Sequence, residues 1–267
     1  MSWITGPLAA FDLETTGTDI ETDRIVTAAV VRLEPDGAVS EERTWLLDPG
    51  VAIPEQASAI HGISTDHARE HGAPLPSAVE DIAQALTGIL RSGTPLVVMN
   101  ARYDLSLLDR ECRRYGLESV AERLGGVPSP VIDPLVLDKH VDTYRKGKRA
   151  LHALCAHYGV SLDDAHDARA DAVAAARVVR RMGEKYQRIG TMPLADLHEL
   201  QVRAAAAQSA SLQAYLRRTT NPTAVVEPAW PVVPRNRQPG PAEAPREREP
   251  GGRAAAPLSR TAPGRAT

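Results

Sequence analysis

The stretch AFDLETTG, residues 10–17, decides how the rest of the sequence is interpreted. Residues 7–13 are apolar enough to form a buried strand, yet this strand ends in two carboxylates. Because side chains two apart on a strand point to the same face, Asp12 and Glu14 project together. Two adjacent carboxylates repel each other and lose hydration, and no Lys or Arg occurs between Met1 and Asp23. A bare Asp-x-Glu pair more often marks a solvated strand end, so the metal-site interpretation depends on residues further along.

The composition limits the class of protein. A chain of 267 residues with 43% hydrophobic residues can hold one large domain or two small ones around an aliphatic core. Two cysteines, Cys112 and Cys155, are too few for a disulfide framework or a zinc cluster, which favours a reducing cytoplasm. The sequence lacks an apolar run of about 18 residues and a signal-peptide start, so we expect no membrane partner. With a net charge of −3, contact with nucleic acid would have to be local.

The order of predicted elements indicates an α/β fold with a mixed sheet. Residues 25–33 and 39–47 are predicted strands joined by a Pro-Asp-Gly turn, which favours an antiparallel pair. Residues 76–91 carry apolar side chains at helical spacing, and residues 95–100 form a short apolar run typical of a strand covered on both faces. Strand, helix and strand in succession indicate layers packed about one sheet.

Two further acids occupy the starts of predicted helices. Asp104 follows the strand at 95–100, on the buried side of a helix that runs to about residue 115, and Asp171 lies on the buried face of the last core helix. His166 precedes Asp171 by five residues and is expected in the loop before that helix. Taken alone, a first-turn Asp is better explained as a helix cap, and His61, in the loop predicted around residues 53–64, as a structural residue.

One shared pair of cations accounts for all these acids together. Oxygen ligands alone favour Mg²⁺ or Mn²⁺ over zinc. In a two-metal site the ions activate water and hold the scissile phosphate, so the acids predict phosphodiester hydrolysis. Asp12 is expected to bridge the two ions. His166, outside the metal ligands, suits a general base because histidine titrates near neutral pH.

The ordered motifs resemble those of the DEDDh family of 3′–5′ exonucleases, which includes proofreading subunits of replicative polymerases. The motifs are residues 11–17, residues 100–104 (NARYD), and His166 with Asp171; the similarity covers roughly residues 7–182. It implies an RNase H-like fold with a five-stranded mixed sheet flanked by helices. It also implies metal ligation by Asp12, Glu14, Asp104 and Asp171, and stepwise release of 5′-mononucleotides from 3′ ends.

The resemblance further implies which residues contact the substrate strand. They are Leu13, Thr15, Thr16 and Gly17, chiefly through the main chain, together with His61 and Asn100. The expected substrate is DNA, degraded from its 3′ end. A DNA polymerase or sliding clamp is expected as a further partner. Two alternative functions remain open. One is an exoribonuclease, which would use the same site, and the other is a catalytically silent module that docks on a polymerase or clamp. Retention of all five catalytic residues argues against the silent module.

Three segments are expected along the chain. Residues 1–190 form the exonuclease domain, residues 191–218 a helical extension, and residues 219–267 a disordered tail rich in Pro and Arg. Residues 208–212 are faintly similar to clamp-binding peptides, although an ordinary helical face explains them better. Residues 144–149 carry four basic side chains, which fit a solvated loop and a phosphate contact equally well.

Overall fold

The computed structural model of the protein describes residues 2–162 and 166–235. The strands are β1 (Leu8–Thr15), β2 (Ile25–Leu33), β3 (Val39–Asp48), β4 (Ala73–Pro74), β5 (Leu96–Val98) and β6 (Val131–Ile132). The helices are α1 (Glu55–His61), α2 (Thr65–His71), α3 (Leu75–Arg91), α4 (Ala101–Arg114), α5 (Val120–Leu124), α6 (Pro134–Val141), α7 (Leu151–Tyr158), α8 (Ala168–Lys185), α9 (Gln187–Gly190) and α10 (Leu194–Thr219). Within the described ranges, none of the helices has the length and apolar character needed to cross a membrane.

The strands form one mixed sheet in the order β4-β3-β2-β1-β5-β6. β1, β2 and β3 pair antiparallel, whereas β5 runs parallel to β1 and β6 parallel to β5. The α/β class is therefore confirmed, but the sheet has six strands where five were expected. The additional strand is the two-residue β4, which pairs with the end of β3. Gly72 allows this approach, because a Cβ there would lie 2.4 Å from the Asp48 backbone nitrogen.

β1 occupies the middle of the sheet, and its two faces meet different helices. Phe11 and its odd-numbered neighbours pack into the core that contains α3 and α4. Leu8 and Ala10 pack into the opposite core, which contains α7 and α8. Because side chains alternate along a strand, Asp12 and Glu14 continue the face of Ala10 and point toward α8. The shared orientation of Asp12 and Glu14 that the sequence indicates is therefore a consequence of their positions on β1.

Asp133, buried at the end of β6, ties several elements together. Its carboxylate accepts hydrogen bonds from the backbone amides of Asn100 (3.1 Å) and Ala101 (3.0 Å) at the start of α4. It also accepts one from the amide of Leu135 (2.9 Å), which caps α6, and one from the indole of Trp230 (3.2 Å). A single carboxylate therefore sets the start of the helix that carries Asp104.

The C-terminal part of the described chain is ordered beyond the predicted boundary. α10 packs against α6 and β6, and the segment 220–234 then folds back over α4. Trp230 is buried in the core, and the Val233 amide donates to Ser106 Oγ at 2.8 Å. The prediction that disorder begins at residue 219 is therefore wrong for residues 219–234. Residues 236–267 of the predicted tail lie outside the described residues.

Substituting Asp133 by Ala should lower the free energy of unfolding by about 3 kcal/mol, because several buried donors lose their acceptor. Urea unfolding followed by circular dichroism measures this change. Asp66→Ala, at an exposed carboxylate on α2, is the control and should change stability by no more than about 0.5 kcal/mol. Equal stability of the Asp133 variant and the parent would contradict the central role of this carboxylate.

Candidate active site

Asp12 lies at the centre of a cluster of carboxylates where β1 ends. Burial raises the pKa of Asp12 well above its ordinary value, and the neighbouring carboxylates of Asp104, Asp171 and Glu14 raise it further. β1 supplies Asp12 and Glu14, α4 supplies Asp104 and α8 supplies Asp171. The structure therefore brings together four acids that the sequence placed on three separate elements.

Glu14 and Asp171 face each other beside His166. One ligand atom from each of these three residues lies within 4.8 Å of the others. Burial first, and then the charges of Asp171 and Asp167, raise the pKa of Glu14 to about 8. Burial also raises the pKa of Asp171, whose Oδ1 is buried and lacks a hydrogen-bond partner among the described residues. His166 itself is exposed, with a left-handed backbone (φ 71°), in the loop expected for it.

Asp104 enters the cluster from the first turn of α4. Its side chain is buried, and burial raises its pKa well above the ordinary value. Hydrogen bonds from the backbone amides of Asp104 itself and of Leu13 act in the opposite direction, by favouring the charged form. Leu13, predicted to contact substrate, therefore also uses its main chain to hold a carboxylate.

The loop after β1 is held by its own hydroxyl groups. Thr15 Oγ1 donates to the Gly17 carbonyl at 2.7 Å and contacts the Tyr103 hydroxyl at 2.8 Å. Thr16 Oγ1 donates to Asp23 at 2.8 Å and accepts from the amide of Arg24. Both threonine side chains are thus engaged within the protein.

Gly17 permits the tight return of this loop. A Cβ at that position would lie 2.6 Å from the Asp23 carboxylate, closer than any side chain tolerates. The same carboxylate accepts from the Asp19 amide at 2.7 Å and so closes the turn. The glycine of the first motif is therefore required for packing, in addition to any contact with substrate.

His61 lies near His166 and the loop after β1, and Asn100 lies one helical turn before Asp104. His61 Nδ1 accepts the Ile63 amide at 3.1 Å, so the proton of the neutral ring is on Nε2, which has no partner among the described residues. Burial lowers the pKa of His61, whereas the nearby backbone of Thr15 raises it. Asn100 is exposed, adopts a left-handed backbone (φ 60°), and leaves its side chain free of the cap of α4.

Two residues of the site were not singled out from the sequence. Asp167 caps α8 by accepting the Ala170 amide at 2.9 Å, and its charge also raises the pKa of Glu14 and Asp12. In the sequence, the position of Asp167 directly before α8 indicates only a helix cap. The effect of its charge on the carboxylate cluster is not visible from that position. Tyr103 links the β1 loop to α4 through its hydroxyl, and burial raises its pKa to about 12.

The donor set fits hard divalent cations. All four acids offer carboxylate oxygens, the donors that Mg²⁺ and Mn²⁺ prefer, and Asp171 Oδ1 is buried without a hydrogen-bond partner among the described residues. Arginines near the acids in sequence are committed elsewhere: Arg24 pairs with Glu111 at 2.9 Å, Arg169 with Glu42 at 2.7 Å, and Arg102 donates to the Glu227 carbonyl at 2.8 Å. Among the described residues, no Lys or Arg forms an ion pair with the four carboxylates.

Comparison with known proteins identifies the family. The model of the RNase_T exonucleases matches residues 9–179, which include every carboxylate of the cluster. The chain belongs to the RNase_T exonuclease family. This confirms the resemblance to DEDD-type 3′–5′ exonucleases and the enzyme class expected from it, a hydrolase of phosphodiester bonds.

Individual relatives of this RNase_T exonuclease are considerably larger or more distant. It is 31% identical over 164 residues to the PolC-type DNA polymerase III of Lacticaseibacillus paracasei. The aligned region covers 61% of the chain and 10% of the polymerase. The chain thus spans about a tenth of the length of this relative. E. coli Exonuclease I in complex with a dT13 oligonucleotide superposes with a TM-score of 0.58 at 20% identity, covering 69% of the chain and 42% of Exonuclease I. Exonuclease X in complex with 5′ overhanging duplex DNA superposes with a TM-score of 0.51 at 20% identity, and the match covers 73% of the chain and 99% of Exonuclease X. Both structures share the fold.

The raised pKa values predict a pH-dependent stability for the metal-free RNase_T exonuclease. Between the ordinary pKa of Glu14, 4.5, and its folded value of about 8, the folded state retains a proton that the unfolded state releases. Stability contributed by this group is therefore full below pH 4.5 and falls as the pH rises through 8. In EDTA the melting temperature should fall between pH 5 and pH 8.5, and Mg²⁺ should restore it at the higher pH.

Asp12→Asn removes one of the repelling charges and should flatten this decline, while Glu70→Gln, at an exposed carboxylate of α2, should leave it unchanged. Differential scanning calorimetry of the three proteins across the pH series measures the slopes. A parent protein that becomes more stable than Asp12→Asn as the pH rises without metal would refute the electrostatic account of the cluster.

Proposed function

We propose that the protein is a 3′–5′ exonuclease that removes 5′-mononucleotides from the 3′ ends of DNA, using two Mg²⁺ or Mn²⁺ ions. The observation that carries the proposal is the meeting of Asp12, Glu14, Asp104 and Asp171 at one point, with His166 beside them. Divalent cations bound there would polarise the scissile phosphate and activate the attacking water. The chemistry is that of phosphodiester hydrolysis.

In this proposal each side chain has one task. The four carboxylates bind the ions, with Asp12 at the centre because three other acids face it. His166 lies in the loop above Glu14 and Asp171, where its exposed ring can accept the proton of the attacking water. Because the side chains of Thr15 and Thr16 are engaged, the main chain of residues 13–17 contacts the terminal nucleotide.

His61 and Asn100 are proposed to contact the same strand. The Nε2–H of His61 is buried without a hydrogen-bond partner among the described residues and lies near the Thr15 backbone, which places the ring beside the main chain proposed to contact the terminal nucleotide. The exposed amide of Asn100 precedes the helix that carries Asp104 and can reach a phosphate or base at the mouth of the site. Both placements support the substrate roles proposed from the family motifs.

DNA is proposed as the substrate because of the proteins that this chain resembles. The matching region of PolC belongs to a DNA polymerase, and Exonuclease I has been crystallised with a dT13 oligonucleotide. A polymerase or clamp as partner, and the cytoplasm as location, remain proposals on the same basis. Residues 208–212 lie within α10, where Gln208 donates to the Val136 carbonyl at 3.0 Å, so they do not form a free clamp-binding peptide.

Incubation of the protein with 5′-labelled single-stranded DNA and Mn²⁺ should produce a ladder that shortens from the 3′ end by one nucleotide at a time. Asp12→Ala should lower the rate by roughly a thousandfold, because the central ligand is lost. Asp66→Ala is the matched control and should cleave at the parent rate. Faster degradation of an RNA oligomer of identical sequence would favour the exoribonuclease, and no release from either strand would refute the proposed function.

His166→Gln should reduce the rate about a hundredfold or more, the usual contribution of a general base, while retaining cation binding. Isothermal titration with Mn²⁺, using parent and variant, separates this role from that of a ligand. Asp171→Asn serves as the comparison because it removes a proposed ligand and should weaken Mn²⁺ binding. If His166→Gln weakened Mn²⁺ binding as strongly as Asp171→Asn, the histidine would be a ligand instead.

A further inference from the structure

A groove begins at Asn100, one helical turn before Asp104 of the carboxylate cluster. It consists of two adjoining cavities of about 670 and 560 Å³ that share Asn100, Leu135, Lys139 and Arg149. One wall is α6, and the opposite wall is α10. Each volume falls in the range of about 300–1,000 Å³ typical of ligand sites. α10 lies beyond residues 9–179, so the family match does not include this wall.

Two guanidinium groups on the groove are fixed in place by the protein. Arg149 donates to the Asp138 carbonyl at 3.1 Å and to the Asp142 carbonyl at 2.6 Å, and it also pairs with the Asp138 carboxylate. Arg102 donates to the Glu227 carbonyl at 2.8 Å and to Ser209 Oγ at 3.1 Å. Both groups therefore contribute positive charge to the lining while their own positions are set.

Lys139 is the cation that remains available. Its nearest carboxylates on α6 are engaged, because Asp138 pairs with Arg145 and Arg149, and Asp133 accepts buried amides. No ion pair to Lys139 occurs among residues 2–162 and 166–235. Burial lowers its pKa, and the charges of Arg149 and Arg102 lower it further, while Asp133 acts in the opposite direction. An ammonium group beside two guanidiniums is stabilised by a bound anion.

The far wall of the groove offers apolar and aromatic surface. Tyr215 and Leu212 on α10 are 53% and 49% exposed, although both line the cavity. An exposed tyrosine across a groove from positive charge resembles the arrangement by which proteins bind single-stranded nucleic acid, with bases stacked and phosphates paired. An apolar peptide would supply no further anion to Lys139, Arg149 and Arg102.

We propose that this groove binds the single-stranded part of the substrate on the 5′ side of the scissile nucleotide, with a phosphate on Lys139 and a base on Tyr215. The inference rests on the proposed function, since it extends the strand whose 3′ end lies at the carboxylates. Asn100 lines both cavities and lies one helical turn before Asp104, so the groove begins close to the carboxylate cluster and a strand would continue from one to the other. A dinucleotide whose 3′ end lies at the carboxylates would contact less of the groove than a longer strand.

Binding of fluorescent dT2, dT4 and dT8 to the full chain tests the proposal, in an Asp12→Asn background that prevents cleavage. Lys139→Gln should weaken dT8 binding about tenfold, and the salt slope for dT8 should fall by about 0.7, the value for one phosphate contact on a single strand. Tyr215→Ala should weaken dT8 binding roughly tenfold through lost stacking. In both variants the loss should be smallest for dT2.

Lys185→Gln is the matched control, because it removes the same charge at the distant C-terminal end of α8 and should bind all three oligomers as the parent does. Tyr215 is exposed, so its truncation tests the groove even if Lys139→Gln proved unstable. Unchanged dT8 affinity and salt slope in both groove variants would overturn the proposal and would favour a protein partner as the ligand of the groove. Because the parent's cleavage of dT8 is assayed separately, failure of the proposed function is recognised independently of failure of the groove.

Discussion

The electrostatic repulsion among four carboxylates at the end of β1 is the constraint on which the rest of the structure depends. Burial and mutual charge raise the pKa of Asp12, Asp104 and Asp171, and that of Glu14 reaches about 8. Such a cluster can persist only on elements that are anchored by other interactions. β1 lies in the middle of the sheet, with apolar cores on both faces, and α4 and α8 are each packed along a buried stripe.

Hydrogen bonds, not ion pairs to the acids, position the helices that carry the acids. Asp133 fixes the first amides of α4, Asp167 caps α8, and the Tyr103 hydroxyl joins α4 to the loop after β1. Arg24 and Arg169, which lie near the acids in sequence, pair with Glu111 and Glu42 instead. A lysine or arginine inside the cluster would relieve the repulsion, but it would also occupy the oxygens that a divalent cation needs.

The sequence was sufficient for the parts of the fold that follow from local pattern. Strand alternation placed Asp12 and Glu14 on one face, and helical spacing placed Asp104 and Asp171 at helix starts. Long-range contacts were not predictable in this way. The composition of residues 219–234 indicated disorder, yet Trp230 reaches the buried Asp133, about a hundred residues earlier in the chain. Likewise, the basic run at 144–149 gave no sign that Arg145 and Arg149 would pair with Asp138, which is buried on the preceding helix.

The distribution of charge gives the site a direction. Four carboxylates meet where β1 ends, and Lys139 lies beyond Asn100 on the wall formed by α6. Without metal, the raised pKa of Glu14, about 8, keeps part of the cluster protonated near neutral pH, so the cluster offers no attraction to a phosphate, whereas Lys139 does. Divalent cations held by the carboxylates would replace these protons and supply positive charge, which would favour the approach of a terminal phosphate. In the proposed groove, the 5′ side of a strand would then bind with or without metal, and cleavage would wait until the metal site is filled.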